Sequence, residues 1–310
     1  MKTRSKLAAG FLTLMSVATL AACSGKTSNG TNVVTMKGDT ITVSDFYDQV
    51  KTSKAAQQSM LTLILSRVFD TQYGDKVSDK KVSEAYNKTA KGYGNSFSSA
   101  LSQAGLTPEG YKQQIRTTML VEYAVKEAAK KELTEANYKE AYKNYTPETS
   151  VQVIKLDAED KAKSVLKDVK ADGADFAKIA KEKTTATDKK VEYKFDSAGT
   201  TLPKEVMSAA FKLDKNGVSD VVSTVDSTTY KTSYYIIKVT DKTEKKSDWK
   251  SYKNRLKEVI LKDKTSDRAF QNKVISKALE KANVKIKDKA FAGILSQYAL
   301  SLIHISERAG

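Results

Sequence analysis

The chain has 310 residues, 40% of them hydrophobic, with 14 Gly and 3 Pro, which excludes a disordered or collagen-like polypeptide and leaves room for two or three domains. Its formal net charge of +16 is spread as Lys along almost every segment, without the basic–aromatic motifs that would point to nucleic acid. A single Cys excludes internal disulfides, the carboxylates are too scattered for a metal site, and no cofactor motif is present.

Lys2, Arg4 and Lys6 precede an uncharged apolar stretch from Leu7 to Leu20, shorter than the about 20 residues of a bilayer span. A basic start, a short apolar middle and small closing residues predict a secretory signal peptide over 1–22. Leu20-Ala21-Ala22-Cys23 resembles the bacterial lipobox, with an ordinary signal peptide and a chance Cys as the alternative. That resemblance implies that Cys23 carries N-palmitoyl and S-diacylglycerol chains, placing the protein on the extracytoplasmic face of the cell membrane. One acyl chain binds reversibly, whereas several on one residue anchor stably. SGKTSNGTN then predicts a flexible tether over 23–32. At such a surface the positive charge suits anionic lipid or anionic cell-wall polymers, although solvated helix faces account for most of the lysines.

VVTMKGDTITV (33–43) alternates around Gly38-Asp39 and predicts a hairpin, followed by a helix opened by a capping box from Thr42 to Asp45. Residues 55–103 carry Met60, Leu61, Leu63, Ile64, Val68 and Phe69 at helical spacing, with breaks near Gly74 and Gly92–Gly94. Gly105 predicts a helix stop, and Thr107-Pro108 a cap and first residue for a helix bearing Ile115, Met119, Leu120, Tyr123 and Ala124. A further helix runs from Thr134 to before Thr146-Pro147, so 33–146 reads as a mostly helical segment without a catalytic constellation.

Beyond Pro147 the pattern changes. Strands are predicted over 151–156, 191–195 and 232–239, with helices over 158–171, from Asp175, and near 204–211. This β-α-α-β-α-β order is an α+β domain, a small antiparallel sheet with flanking helices, over 147–243. Helices return over 244–299: Ser247 is the expected cap for Trp249, Tyr252, Leu256 and Ile260, and a second helix carries Phe270, Val274 and Leu279. Trp249 reads as a core anchor. Val284-Lys285-Ile286 reads as a strand able to pair with the hairpin at 33–43. LSLIHIS, within 300–310, looks like a translated sequencing adapter, so a non-native tail is expected there. A natural apolar tail is the alternative, and His304, the only histidine, is given no role.

FAKIAKEKT (176–184), AAFKLDKNGVSDVV (209–222) and YYIIKV (234–239) resemble three signatures of parvulin-type peptidyl-prolyl isomerases. With the lipobox and the helices on both sides, the chain is similar to the PrsA-type foldase lipoproteins of Gram-positive bacteria. The resemblance implies a SurA/PrsA-like chaperone body built from the N- and C-terminal segments, often dimeric, with the parvulin-like domain inserted. It also implies unfolded or newly translocated secreted proteins as partners. The family's apolar cup falls on Leu202 and Val206, its histidine pair on Val153 and Tyr235, and its Asp or Cys near Ala186 or Asp188. Both histidines are thus replaced, and Val153 and Tyr235 read equally well as plain sheet residues; Phe211 reads as core. Two functions follow from the resemblance: a membrane-anchored foldase with prolyl cis-trans isomerase activity, or the same foldase as a non-catalytic chaperone. A solute-binding lipoprotein of a transporter is the third reading, and it lacks the expected parallel βαβ series.

Overall fold

The computed structural model describes residues 30–301. Cys23, the expected signal peptide, most of the tether, His304 and most of the 300–310 tail lie outside the described residues. The fold divides into two units, one taking the described residues up to Glu132 and from Leu261 onward, the other Leu133–Ile260.

The first unit opens with an antiparallel hairpin, β1 (Asn32–Met36) and β2 (Asp39–Thr42), in which Val34 faces Ile41 and Met36 faces Asp39. Gly38 turns it at φ +87, a conformation a side chain would resist. Thr42 starts α1 (Val43–Val50): its amide donates to the Asp45 carboxylate at 2.8 Å and its hydroxyl accepts the Asp45 N–H at 3.2 Å, the expected capping box. There follow α2 (Lys54–Tyr73), α3 (Asp79–Tyr93), α4 (Phe97–Gln103) and α5 (Pro108–Lys131). Gly105 sits at φ +64 after α4, and Thr107 caps α5 by accepting the Gly110 N–H at 3.0 Å, with Pro108 in the first turn.

The second unit begins with α6 (Glu135–Asn144). Its sheet and helices follow as β3 (Thr149–Leu156), α7 (Glu159–Lys170), α8 (Phe176–Lys183), β4 (Glu192–Phe195), α9 (Lys204–Lys212), β5 (Val222–Val225) and β6 (Thr232–Lys242). All pairings are antiparallel, in the order β4-β3-β6-β5. The sheet has four strands where the sequence suggested three. The addition, β5, is a short edge whose Val225 is exposed, so it lacks the apolar alternation by which strands are recognised. Successive side chains on the two central strands point to opposite faces. Val151, Val153, Tyr235, Ile237 and Val239 meet Val206, Met207 and Ala210 of α9, while Ile154, Leu156 and Ile236 meet α7 and α8 through Val165 and Phe176. Burial on both faces explains why TSYYIIKV reads as a nearly continuous apolar run.

One 3-10 turn (Trp249–Tyr252) precedes α10 (Lys253–Ser266). Its cap is Asp248, which accepts the Lys250 N–H at 2.9 Å, rather than the expected Ser247. Trp249 stacks on Tyr138 with ring centroids 4.9 Å apart, in an apolar cluster with Tyr145, Leu256 and Ile260. This cluster carries α6 and the start of α10 into the second unit, so its bounds lie outside the 147 and 243 expected for the sheet domain.

The chain returns to the first unit through the rest of α10 and α11 (Arg268–Lys281). Phe69 of α2, Leu120 and Val125 of α5 and Ile275 of α11 form its core, each side chain worth about 1.5–3 kcal/mol of burial. Residues 284–286 form no strand and do not pair with the hairpin. Asn283 at φ +49 closes α11 and the Val284 N–H donates to the Leu279 carbonyl at 3.2 Å, which commits that backbone to the helix end. The two chain segments of this unit meet elsewhere. The Tyr47 hydroxyl donates to Asp288 at 2.7 Å, and the Gln57 amide donates to the Ala290 carbonyl at 2.7 Å.

Candidate functional site

On the α9 side of the sheet, β3 and β6 place Lys155 opposite Tyr235 and Val153 opposite Ile237, so Val153 and Tyr235 are diagonal neighbours. Tyr193 of β4 adds a third wall, and residues 186–190 and 201–203 close the sides of a recess of ≈ 250 Å³. The 186–190 loop is tied to the sheet. The Thr184 hydroxyl, on a buried residue, accepts the Lys155 N–H at 3.3 Å, and the Lys155 carbonyl accepts the Thr185 N–H at 2.8 Å. Lys189, at φ +51, returns its ammonium to the Thr184 carbonyl at 2.6 Å, and Asp188 accepts the Lys190 N–H at 3.0 Å.

Val153, Leu202 and Tyr235 all line this recess, together with Ala186 and Asp188. Val206 does not. It lies on the inner face of α9, fully buried among the core residues that include Val153 and Tyr235. Expected in the cup wall, it stands in the layer underneath, because α9 turns Val206, Met207 and Ala210 to the sheet. Phe211 packs edge-on against Phe195 at 5.5 Å, as a core residue.

Six wall residues escaped the sequence reading: Lys155, Thr187, Lys190, Tyr193, Thr201 and Pro203. Lys155 stands two residues from Val153 and shares its face, a period-two signal that was available in VQVIKL. Burial raises the Tyr193 phenol above its ordinary pKa, reinforced by the nearby Asp188 and Tyr235, while the Lys190 ammonium lies 4.9 Å from its ring.

The recess combines apolar walls with polar and charged groups. Val153 offers no hydrogen bond, and the Tyr235 hydroxyl has no partner among the described residues, so no interacting pair stands on the two central strands. Apolar surface from Val153, Leu202 and Pro203 suits a ring or aliphatic side chain, with the Tyr235 hydroxyl and the lysine ammonium groups available to meet peptide carbonyls, while the Tyr193 hydroxyl already donates to the Lys190 carbonyl at 3.2 Å. No group of His, Cys, Asp or Glu among the described residues is placed to hold a metal ion.

Residues 125–254 match the family model of the PPIC-type PPIase domain. The chain is 99% identical over 299 residues to the foldase protein PrsA of Streptococcus agalactiae serotype III (strain NEM316), covering 96% of this chain and 97% of that one. It is 62% identical to the foldase protein PrsA of Streptococcus equi subsp. zooepidemicus (strain H70), covering 96% and 90%. The crystal structure of foldase protein PrsA from Streptococcus pneumoniae str. Canada MDR_19A superposes with a TM-score of 0.79 at 46% identity, over 87% of this chain and 100% of that one. A sheet unit of the PPIC type, set between two helical segments and shared with such relatives over nearly their whole length, places the protein: the chain belongs to the PrsA foldase family.

Proposed function

We propose that this foldase works outside the cytoplasm, attached to the cell membrane through acylated Cys23, and helps newly translocated secreted proteins to fold by holding their unfolded segments. The lipobox-like Leu20-Ala21-Ala22-Cys23 supports this attachment, and among the described residues no helix is long and apolar enough to cross a membrane. The +16 charge favours anionic lipid or cell-wall polymer nearby. A homodimer, implied by the family resemblance, would enlarge the surface offered to clients.

The observation that carries the holding role is the pair of central-strand positions occupied by Val153 and Tyr235. Rotation about a prolyl bond breaks amide resonance against a barrier of about 18–20 kcal/mol. An apolar cup lowers that barrier by favouring the twisted, less polar amide. Here the cup retains Leu202 but has lost both histidines, and Val206 stands beneath it out of reach of a ligand. A second reading, prolyl isomerisation, is favoured by the Tyr235 hydroxyl at the recess, a donor still able to reach an amide.

Two assays on the same full chain separate these readings: aggregation of an unfolded secreted protein, and isomerisation of a short prolyl peptide. Suppressed aggregation with an uncatalysed isomerisation rate is the expected result. Catalysis that falls in Tyr235→Phe would replace the holding role with an enzymatic one.

A further inference from the structure

Of the ten exposed large hydrophobic side chains among the described residues, six lie between Val33 and Tyr47. No described residue before Leu61 is buried. A two-stranded hairpin has little stability of its own in water, and among the described residues no strand pairs with the outer edge of β1. Its register puts Val34, Ile41 and Met36 on one face, and Phe46 of α1 is exposed close behind in the chain. Contiguous apolar surface of this kind marks a contact.

The chain itself limits what that contact can be. Cys23 precedes Gly30 by seven residues, which span at most ~25 Å even when fully extended. An acyl anchor on Cys23 therefore keeps the hairpin close to the lipid headgroups throughout the protein's working life. We propose that the face formed by Val34, Met36 and Ile41, with Phe46, rests on the bilayer as a second membrane contact beside the anchor; it depends on reading Cys23 as acylated. Lys37 at the hairpin turn can keep its ammonium among anionic headgroups while the apolar side chains enter the interface. Asp39, opposite Met36, holds its carboxylate against the Thr40 N–H at 2.7 Å and limits the contact to a shallow one.

Cys23 is the sole cysteine, so the mature chain can be coupled through it to a maleimide lipid in phosphatidylglycerol–phosphatidylcholine vesicles. That recreates the tether whatever the cell does to Cys23. Val34→Trp and Phe46→Trp report at the proposed face, and Tyr230→Trp, at an 82% exposed site in the other unit, is the control, each read against the parent with its Trp249. Lipids brominated on the acyl chain should quench the first two at least twofold more than the third, with a blue shift. Equal quenching at all three positions overturns the proposal. So does a blue shift in Val34→Trp that arises without vesicles and grows with protein concentration, which would assign the face to a second copy. Mass spectrometry of Cys23 from cell membranes tests the anchor separately: an unmodified thiol would remove the anchor while leaving the vesicle result to stand.

Discussion

Arg255 grips Asp196 through two parallel hydrogen bonds, Nε to Oδ2 at 2.5 Å and Nη2 to Oδ1 at 2.8 Å. The carboxylate also accepts the Tyr145 hydroxyl at 3.0 Å and the Ala198 N–H at 3.1 Å. One side chain thus ties the end of α6, the loop after β4 and the start of α10 around a point where Asp196 is only 11% exposed. Burial alone would raise the Asp196 pKa. The Arg255 guanidinium, aided by Tyr145 and the Ala198 amide, outweighs it and holds the carboxyl below its ordinary range. Tyr145 moves the other way, raised by burial and by the Asp196 charge.

Arg255→Ala should destabilise the second unit by about 2 kcal/mol. That lies below the cost of breaking a fully buried pair because Arg255 is 38% exposed and partly screened. Because the Asp196 pKa is depressed on folding, its contribution is complete above the ordinary carboxylate pKa and fades as pH falls through the lowered folded value. Urea unfolding between neutral pH and pH 3 should show a shallower acid loss in Arg255→Ala than in the parent. Parallel acid limbs would deny the pair this role.

Ser219 is the second polar point on which the sheet depends. Its hydroxyl accepts the Ile237 N–H at 2.9 Å, on a buried stretch of β6 beyond the reach of β5, and its own N–H donates to the Ile237 carbonyl at 2.8 Å. Ser219→Ala strands a buried amide and should cost about 1–3 kcal/mol. Hydrogen exchange at the Ile237 amide should accelerate accordingly; unchanged protection there would count against this assignment.

Val206→Asp and Leu202→Asp should behave differently despite being four residues apart. The first buries a carboxylate at a position with 0% exposure and should unfold the second unit, at a cost of about 3 kcal/mol or more. The second alters the wall of the recess and should stay within about 1 kcal/mol of the parent while binding an unfolded polypeptide less tightly. Titration with a fluorescent apolar peptide, beside a thermal melt, reads both. Undiminished peptide binding by Leu202→Asp would place the holding surface elsewhere.

Returning imidazoles to the central strands is the converse experiment. Val153→His with Tyr235→His places two long side chains on diagonal neighbours within reach of one another. Prolyl isomerisation by the full chain should rise above the parent rate, at a stability cost of about 1–3 kcal/mol for burying a polar ring at the Val153 position. A folded double variant with the parent's rate would show that more than the histidines separates this recess from a catalyst.

Local chemistry made much of the architecture readable. The Thr42–Asp45 box, the Thr107–Pro108 start of α5 and the alternation of β3 each depend on residues within four positions of one another, and each stands where expected. Failures came where a distant partner or a competing local bond decides the outcome. Val284 has β propensity, yet its amide closes α11; β5 is a strand only because β6 lies beside it. Arg255 and Asp196 are 59 residues apart, and no periodicity links them. Val153, Leu202 and Tyr235 line one recess while Val206 lies beneath it, a difference a helix of nine residues leaves illegible because it carries too few turns to fix its rotation from pattern alone.

Of the strands that enter and leave the sheet, β3 is paired with β6 along its whole length, with Thr149 opposite Lys242 and the Thr243 N–H on the Glu148 carbonyl at 3.0 Å. The two ends of this segment therefore stand side by side, as the ends of an insertion must if its host is to accept it without distortion. The arrangement makes the sheet an exchangeable cassette: a short loop between Glu148 and Thr243 has almost no distance to cover. The chemistry on β3 and β6 can therefore change without disturbing the core of the helical host, because the two are packed as separate clusters.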